Sequence, residues 1–490
     1  MVSTFHGLET ARRGMTTQQY ALQVTGQNIA NANTTGYSRQ RVNFTQTEPY
    51  PAPAMNRPQV PGQMGTGVQA GSIQRVREGY LDQQYRGENN KYGYWSAKSE
   101  AMEKMEDIMN EPSDNGLSKT MDRFWQSLQD LSVHPEDSGA RSVVLQRGTA
   151  VAETFNYLSN SLTSIQKDIG SQLDNTVLQA NSLMKQINDI NKQIGEVEPH
   201  GYLPNDLYDQ RDMLVDQLSQ IVNISVEKVG SGGHSEKMAE GKYTIKLLDK
   251  DGSFVGTLVD GSDASQLNEI QVELSDDKST LNSLMLKSGE ELSDTEVSGK
   301  LQGLRDSLTK NYPDMITKLD QMASSFITAF NEVHNAGFGL DSNSPSTNTG
   351  KDFFGGTDAK SITVVLTNRN DVAAGLDGNS GDGSNALLLA GVKSKSLDYG
   401  GETSTLQGFY EGAIGKMAVD SQEAARLADN SQVLSDSVEN RRQSVSGVSI
   451  DEEMTNLIQF QHAFNAAARN ITVVDEMLDK IINGMGVGGR

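Results

Sequence analysis

An amphipathic helical pattern occupies each end of this chain, and that placement restricts its folding more than any other feature. Residues 1–44 read as one such helix, closed by the segment Ala32 to Gln40, and residues 449–486 read as a second. Phe5, Leu8, Met15, Leu22 and Ile29 recur at steps of three or seven, which puts them on one stripe. Gly26 falls on that stripe, where a missing side chain lets another backbone come close. Asn31, Asn33 and Gly36 then break the helix, because Asn and Gly tolerate the left-handed conformation that ends one. At the other end Ser449 opens a capping box with Glu452, and Asp451, Glu452 and Glu453 fill the first turn, where the helix dipole favours acids. Leu457, Phe464, Ile471, Leu478 and Met485 follow at heptad steps, widened by Met454, Ile458, Ala468, Val474 and Ile482. Adhesive helices at the two ends of a 490-residue chain either trail loose or meet, and both suit a chain that assembles.

Charge favours their meeting. Up to Val42, four arginines (Arg12, Arg13, Arg39 and Arg41) face Glu9 alone, whereas from Ser449 onward six acids face Arg469, Lys480 and Arg490. Exposed ion pairs contribute only about 0–1 kcal/mol each, so charge sets the pairing more than its strength. A lone hairpin of these two helices leaves much of its apolar surface uncovered. Neighbouring copies would supply the missing burial, and the ends would then order as the chain assembles.

A net charge of −22 argues against nucleic acid or an anionic membrane surface as a partner. No cysteine is present, which removes disulfides and thiolate chemistry and suits a chain exported unfolded. No cleaved secretory signal is expected ahead of the first helix, and no apolar run is long enough for a membrane span.

Between the ends the period of the apolar residues divides the chain. Residues 45–72, with Pro49, Pro51, Pro53, Pro58 and Pro61, read as an extended linker, and Val68, Ile73 and Val76 as a strand or arm. Helical blocks lead to Pro112 and Pro135, and from Val151 to Val197 steps of three and four imply a helix of about 70 Å with a stutter between Ile165 and Ala180. Tyr243 to Leu248 and Phe254 to Val259 read as a hairpin, and Ile270 to Leu274 alternates as another strand. Helix resumes from Leu301 to Val333, a Gly-, Asn- and Ser-rich insertion follows with Ile362 to Leu366 as its clearest strand, and helix returns from Gln407 to Val445. The expected fold is mainly α with β-rich insertions: elongated and multidomain, a terminal coiled coil plus a long-helix rod and small β-rich outer domains. The expected boundaries are 1–44 and 449–490 for the coiled coil, and 45–228, 296–336 and 407–448 for the rod. The insertions are 229–295 and 337–406.

Ala30 to Gln40, reading Ala-Asn-Ala-Asn-Thr-Thr-Gly-Tyr-Ser-Arg-Gln, resembles the signature of flagellar axial proteins, which include rod, hook and hook-associated components. Its ending from Gly36 to Gln40 is more similar to the hook-associated members than to hook protein. Three further stretches are similar to the same family. They run from Gly65 to Arg86, from Asp209 to Leu214, and from Ser446 through Arg469 to Leu478. The resemblance implies export by the flagellar type III pathway and a place outside the cell at the junction of hook and filament. It also implies a ring of copies whose terminal helices form an inner tube. By position, Leu8, Met15, Leu22, Ile29, Leu457, Phe464, Ile471 and Leu478 would be tube contacts, to which the stripes add Phe5 and Ile482. Asn31, Asn33, Thr34, Gly36 and Tyr37 would form the turn from tube to outer domains. The implied partners are further copies, hook protein, and a second junction protein or filament subunits. The resemblance also implies a cytoplasmic export chaperone that takes Leu457, Phe464, Ile471 and Leu478 by a helix-in-groove contact.

An enzyme finds no candidate residues, and no cofactor is expected. The six histidines are scattered without ligand spacing, and neither a P-loop nor a nucleophile elbow occurs. Asp249-Lys250-Asp251-Gly252 reads as a hairpin turn rather than a calcium loop, and Asp377, Asn379 and Asp382 as a solvated loop. The rival readings are another axial protein, hook or filament subunit, or a coiled-coil surface adhesin.

Overall fold

The structure is a computed structural model, and it describes residues 5–51, 55, 62–109, 111, 113–114, 116–263, 265–293, 296–340, 351–377 and 379–484. Pro53, Pro58, Pro61, Pro112, Met485 and Arg490, used above, lie outside those residues.

Helix α1 spans Phe5–Ala30 and gives way to a turn in which Gly36 takes the left-handed conformation, with φ of 80°. Strands β1 (Gln40–Gln46) and β2 (Val68–Arg75) then pair antiparallel, Gln40 opposite Arg75, with a bulge between Asn43 and Phe44. Residues 40–44 are therefore strand, not the end of a first helix. Val42 and Phe44 alternate with Arg41, Asn43 and Thr45, a period of two that the preceding helical stripe had obscured. The linker of residues 45–72 is likewise corrected: both of its ends belong to this two-stranded arm. The arm lies along α1, held by Thr17 Oγ1 donating to Val68 O (3.1 Å) and Arg13 to Thr66 O (3.3 Å).

The body begins with α2 (Gly79–Met109), α3 (Leu117–Val133), the 60-residue α4 (Ser138–Val197) and α5 (Asn205–Ile221). Asp137 caps α4 by accepting from Gly139 N–H at 2.8 Å, and at 1.5 Å per residue the helix runs about 90 Å, longer than its apolar stripe required. The stripe from Val151 to Ile194 is buried apart from Ile165, which is half-buried at the stutter, where Gln166 points inward and donates to Leu308 O.

A three-stranded antiparallel sheet of β3 (Ile224–Val229), β4 (Lys242–Leu248) and β5 (Phe254–Val259) follows, then the pair β6 (Ile270–Leu274) and β7 (Leu281–Leu286). The turn after β6 sits on Gly170 of α4, where a Cβ would lie 2.0 Å from Lys278 O. Helix α6 (Lys300–Asp306) runs through a π-helical turn, Ser307–Asn311, into α7 (Tyr312–Asn335). The pair β8 (Phe354–Gly355) and β9 (Thr363–Val364), helix α8 (Ser384–Gly391) and the pair β10 (Ser396–Asp398) and β11 (Thr403–Thr405) lead to α9 (Leu406–Ser446) and α10 (Ile450–Gly484). Helix α9 packs along α2, and α10 along α1.

The second insertion, expected as β-rich or loop, is mostly loop among the described residues. Its strands are two or three residues long, and the strand expected over Ile362 to Leu366 shrinks to Thr363–Val364. Among the described residues, part of its main chain is satisfied by side chains of the body. Asn156 donates to the carbonyls of Ala359, Lys360 and Ile362. Asn331 accepts from Phe353 and Phe354 N–H, and Arg141 donates to Val372 O. Phe353 and Phe354 enter the core against Phe124, Phe326 and Phe330.

His334 is part of this docking. Its Nε2 accepts from Ala373 N–H at 3.0 Å, so Nδ1 carries the proton and donates to Lys351 O at 2.7 Å. Burial pushes the ring down to about 4, against the pull of the Lys351 carbonyl and the carboxylates of Asp352 and Asp371. The unfolded chain takes up the proton first, near pH 6.5. The stabilisation is therefore complete above that pH and is lost as pH falls toward 4, by up to about 3 kcal/mol. Amide exchange over residues 351–377, corrected for intrinsic rates, is expected to lose protection between pH 7 and 4.5, and a His334→Gln chain to lose that dependence. Protection independent of pH in the unsubstituted chain would refute the assignment.

Candidate assembly interface

The terminal helices meet in an antiparallel heptad register. Asn28 bonds to Glu453, Ala21 clusters with Phe460, and a Cβ on Gly7 would lie 3.9 Å from Val474 Cγ2, so each step of seven along α1 matches one along α10. The seam, the face of α1 turned to α10, carries Gly7, Ala11 and Ala21 with Thr25 and Asn28, whereas a Cβ on Gly14 would meet nothing within 4 Å. Opposite it α10 presents Leu457, Phe460, Phe464, Ile471, Val474 and Leu478, all half-buried. Phe460 also meets Phe44 of the arm edge to face, with ring centres 6.0 Å apart.

This geometry reassigns part of the expected surface. Leu457, Phe464, Ile471 and Leu478 share the α1-facing side of α10, so they are engaged within one chain. On α1 the buried residues are Thr17, Ala21, Val24, Thr25 and Asn28. Leu8, Met15, Leu22 and Ile29 flank that face and are half-buried, while Phe5 is exposed, as is Ile482 on α10. Gly26 meets no close neighbour, since a Cβ there would have nothing within 4 Å. Besides Ile482, the large apolar residues of α10 left open form two ridges at i, i+4, i+8 spacing, Ile450-Met454-Ile458 and Val473-Met477-Ile481, each residue 45% to 55% exposed.

Below the seam lies a buried polar layer. Asn28 is its hub: its Oδ1 accepts from Tyr37 OH (2.9 Å) and Gln40 N–H (3.0 Å), and its Nδ2 donates to Gln40 O (2.8 Å) and Glu453 Oε2 (3.1 Å). Arg39 donates to Glu453 at 2.8 Å and to Glu452 at 2.7 Å. Glu452 is thus drawn to Arg39 rather than to a capping box, while Arg12 and Arg13 pair with Glu9 of their own helix. In the turn, Thr34 N–H donates to Asn31 O and Thr34 Oγ1 to Asn31 Oδ1, Asn33 is exposed, and Gly36 reverses the chain toward Tyr37.

A second cluster joins the arm to the body. Arg75 donates to Asp209 and to Glu240, both at 2.6 Å, and lies 3.0 Å from Asp212. Asp212 also lies 3.0 Å from Arg77 and 3.4 Å from Arg86, and Asp209 accepts from Ser38 N–H. Asp216 takes Arg86 at 2.7 Å and Arg442 of α9. Burial opposes the charge on Asp212. The guanidiniums of Arg77, Arg75, Arg86 and Arg211 outweigh it and hold the carboxyl well below its usual range. Burial prevails at Asp209 and pushes its carboxyl up despite Arg75. Beside this cluster a cleft of about 780 Å³ opens between the turn and the body, lined by Asn33, Gly36, Tyr85, Met213, Gln217 and Gln443 among others.

Sequence reasoning missed the small-residue seam and Asn28, because it followed large apolar residues. Gly7 and Ala21, two heptads apart, with Ala11 at i+4 from Gly7, were the available signal. Arg75, Arg86, Asp209 and Asp212 had entered only through resemblance. Asp382 accepts from Leu376, Asp377 and Ser384 N–H, so its carboxylate organises its own loop. Among the described residues no group of acids and histidines is arranged to hold a metal, and no helix is long and apolar enough to cross a membrane.

Residues 102–354 match the flagellar hook-associated protein FlgK helical domain, residues 8–37 the flagella basal body rod protein, and residues 440–484 the flagellar basal body rod FlgEFG protein C-terminal. Flagellar hook-associated protein 1 of Bacillus subtilis is 43% identical over 513 aligned residues, which cover 100% of both chains. That of Salmonella typhimurium is 30% identical over 74% of this chain and 60% of its own length, and that of Escherichia coli 28% identical over 75% and 63%. The solved flagellar hook junction protein FlgK of Burkholderia pseudomallei shares the fold, with a TM-score of 0.60 over 74% of this chain and all of that one at 15% identity. The chain therefore belongs to the flagellar hook-associated protein 1 family, structural proteins of the bacterial flagellum.

Proposed function

We propose that this chain forms the junction between hook and filament. Copies would stand around the flagellar axis with α1 and α10 as their inner layer. The observation that carries the reading is the pair of open ridges on α10, which α1 leaves uncovered although it packs along the same helix. Apolar ridges left free on a paired helix suit contact with helices of neighbouring copies. Hook protein on one side and a second junction protein or filament subunits on the other would complete the surroundings. Export would follow the flagellar type III route, to a final place outside the cell. A cytoplasmic chaperone that takes Leu457, Phe464, Ile471 and Leu478 must compete with α1 for them, so its complex would hold α1 free. We assign residues 1–44 and 449–490 to assembly, the helical residues of 45–228, 296–336 and 407–448 to the body, and 229–295 and 337–406 to outer insertions. The arm is grouped with the α1 it lies along.

The paired substitution Met454→Glu and Ile458→Glu tests this. Both side chains are open, so melting of the purified chain is expected to stay within about 0.5 kcal/mol of the original. Filament growth in cells that lack their own copy is expected to stop. Normal filaments would overturn the reading.

A further inference from the structure

We infer that Met454 and Met477 are modification sites through which peroxide disables the assembly contact of α10, an inference that rests on the self-assembly reading above. Each is the centre of one open ridge, Met454 between Ile450 and Ile458, Met477 between Val473 and Ile481, at 48% and 55% exposure. Met102, Met105, Met109, Met184 and Met322, by contrast, lie in the core at 3% exposure or less. With no cysteine in the chain, methionine thioethers are its only sulfur, and these two sit where apolar contact matters.

The chemistry needs only a hydroperoxide. A sulfur lone pair attacks one oxygen of hydrogen peroxide, an S–O bond forms and the O–O bond breaks. The departing hydroxide takes the remaining peroxide proton and leaves as water. The thioether is oxidised by two electrons to the sulfoxide, and the peroxide is reduced. The product is polar and chiral at the middle of a ridge whose flanking residues are unchanged, so each ridge loses its central apolar contact. Contact with a neighbour would shield both sulfurs, which confines the vulnerability to the free chain. Methionine sulfoxide reductases return the original side chain.

The test treats the purified full chain with hydrogen peroxide, measures sulfoxide at both positions by peptide mass, and follows co-sedimentation with isolated hooks. Binding is expected to fall at least tenfold when both are oxidised, and to recover after reductase treatment. The Met454→Leu, Met477→Leu chain keeps the apolar bulk, and whatever its binding before treatment, the same peroxide is expected to change that binding less than twofold. Undiminished binding by the doubly oxidised chain would overturn the inference. So would equal loss by the leucine chain, which would move the lesion to another exposed methionine such as Met55 or Met238. If the unoxidised Met454→Glu, Ile458→Glu chain binds normally, the assembly reading itself falls. If that chain fails while the oxidised one binds, only this inference does.

Discussion

Asp212→Asn is expected to destabilise the arm and the first half of the body by about 3–5 kcal/mol, the cost of leaving buried charges without their counter-ion. The substitution keeps the shape of the side chain and removes one charge. That charge lies 3.0 Å from Arg75 and Arg77 and 3.4 Å from Arg86, on a residue 2% exposed. With it gone, Asp82, which lies 2.8 Å from Arg77, together with Asp209, Asp216 and Glu240 must serve the same guanidiniums from worse positions, and part of the cluster has to open to water. Amide exchange read element by element is the suitable measurement, because a chain with several bodies need not melt in one step. Protection should drop in β1, β2, α2 and α5 while the Phe124–Phe330 core keeps its own. A change below about 0.5 kcal/mol would show that the cluster is already hydrated, as an exposed pair would be.

Asn28→Ala is expected to cost about 3 kcal/mol, since a side chain 1% exposed that makes four hydrogen bonds leaves several buried partners unsatisfied. The main-chain N–H and C=O of Gln40 lose their partner together, Tyr37 OH is orphaned, and Glu453 keeps only Arg39. The loss should appear in a particular place. The C-terminal half of α1 and the first turn of α10 would exchange rapidly, while α4 and α7 would not change. Asn28→Asp sharpens the test by placing a second carboxylate beside Glu453, and it should be worse than alanine at neutral pH. Equal protection in all three chains would mean that the hub contributes little.

Much of the fold is written in local periodicity. The heptads of α10, the stripe of α4 from Val151, the hairpin of β4 and β5 and the strand Ile270–Leu274 each repeat a spacing long enough to read directly. Strand β1 is short and abuts a helical stripe, so its alternation was absorbed into the helix. The second insertion shows no period, and part of its backbone bonds to side chains outside it, Asn331, Asn156 and Arg141, which stand 23, 206 and 231 positions from their partners. Separation in sequence hid the ionic cluster. Arg75 and Asp209 stand 134 positions apart, and nothing in either neighbourhood names the other. The seam of α1 was hidden differently, since a face defined by missing bulk leaves no mark on a count of large apolar residues.

That seam also sorts partners. One terminal helix offers a trough of glycine and alanine, the other a crest of leucine, phenylalanine and isoleucine, and only trough against crest fills space. Two crests brought together at the same distance would collide, and two troughs would enclose a void. In a crowded mixture of identical chains, the N-terminal helix of any copy therefore discriminates in favour of a C-terminal helix and against its own kind. Mispaired bundles of like ends are disfavoured by shape alone, before charge or neighbouring copies act.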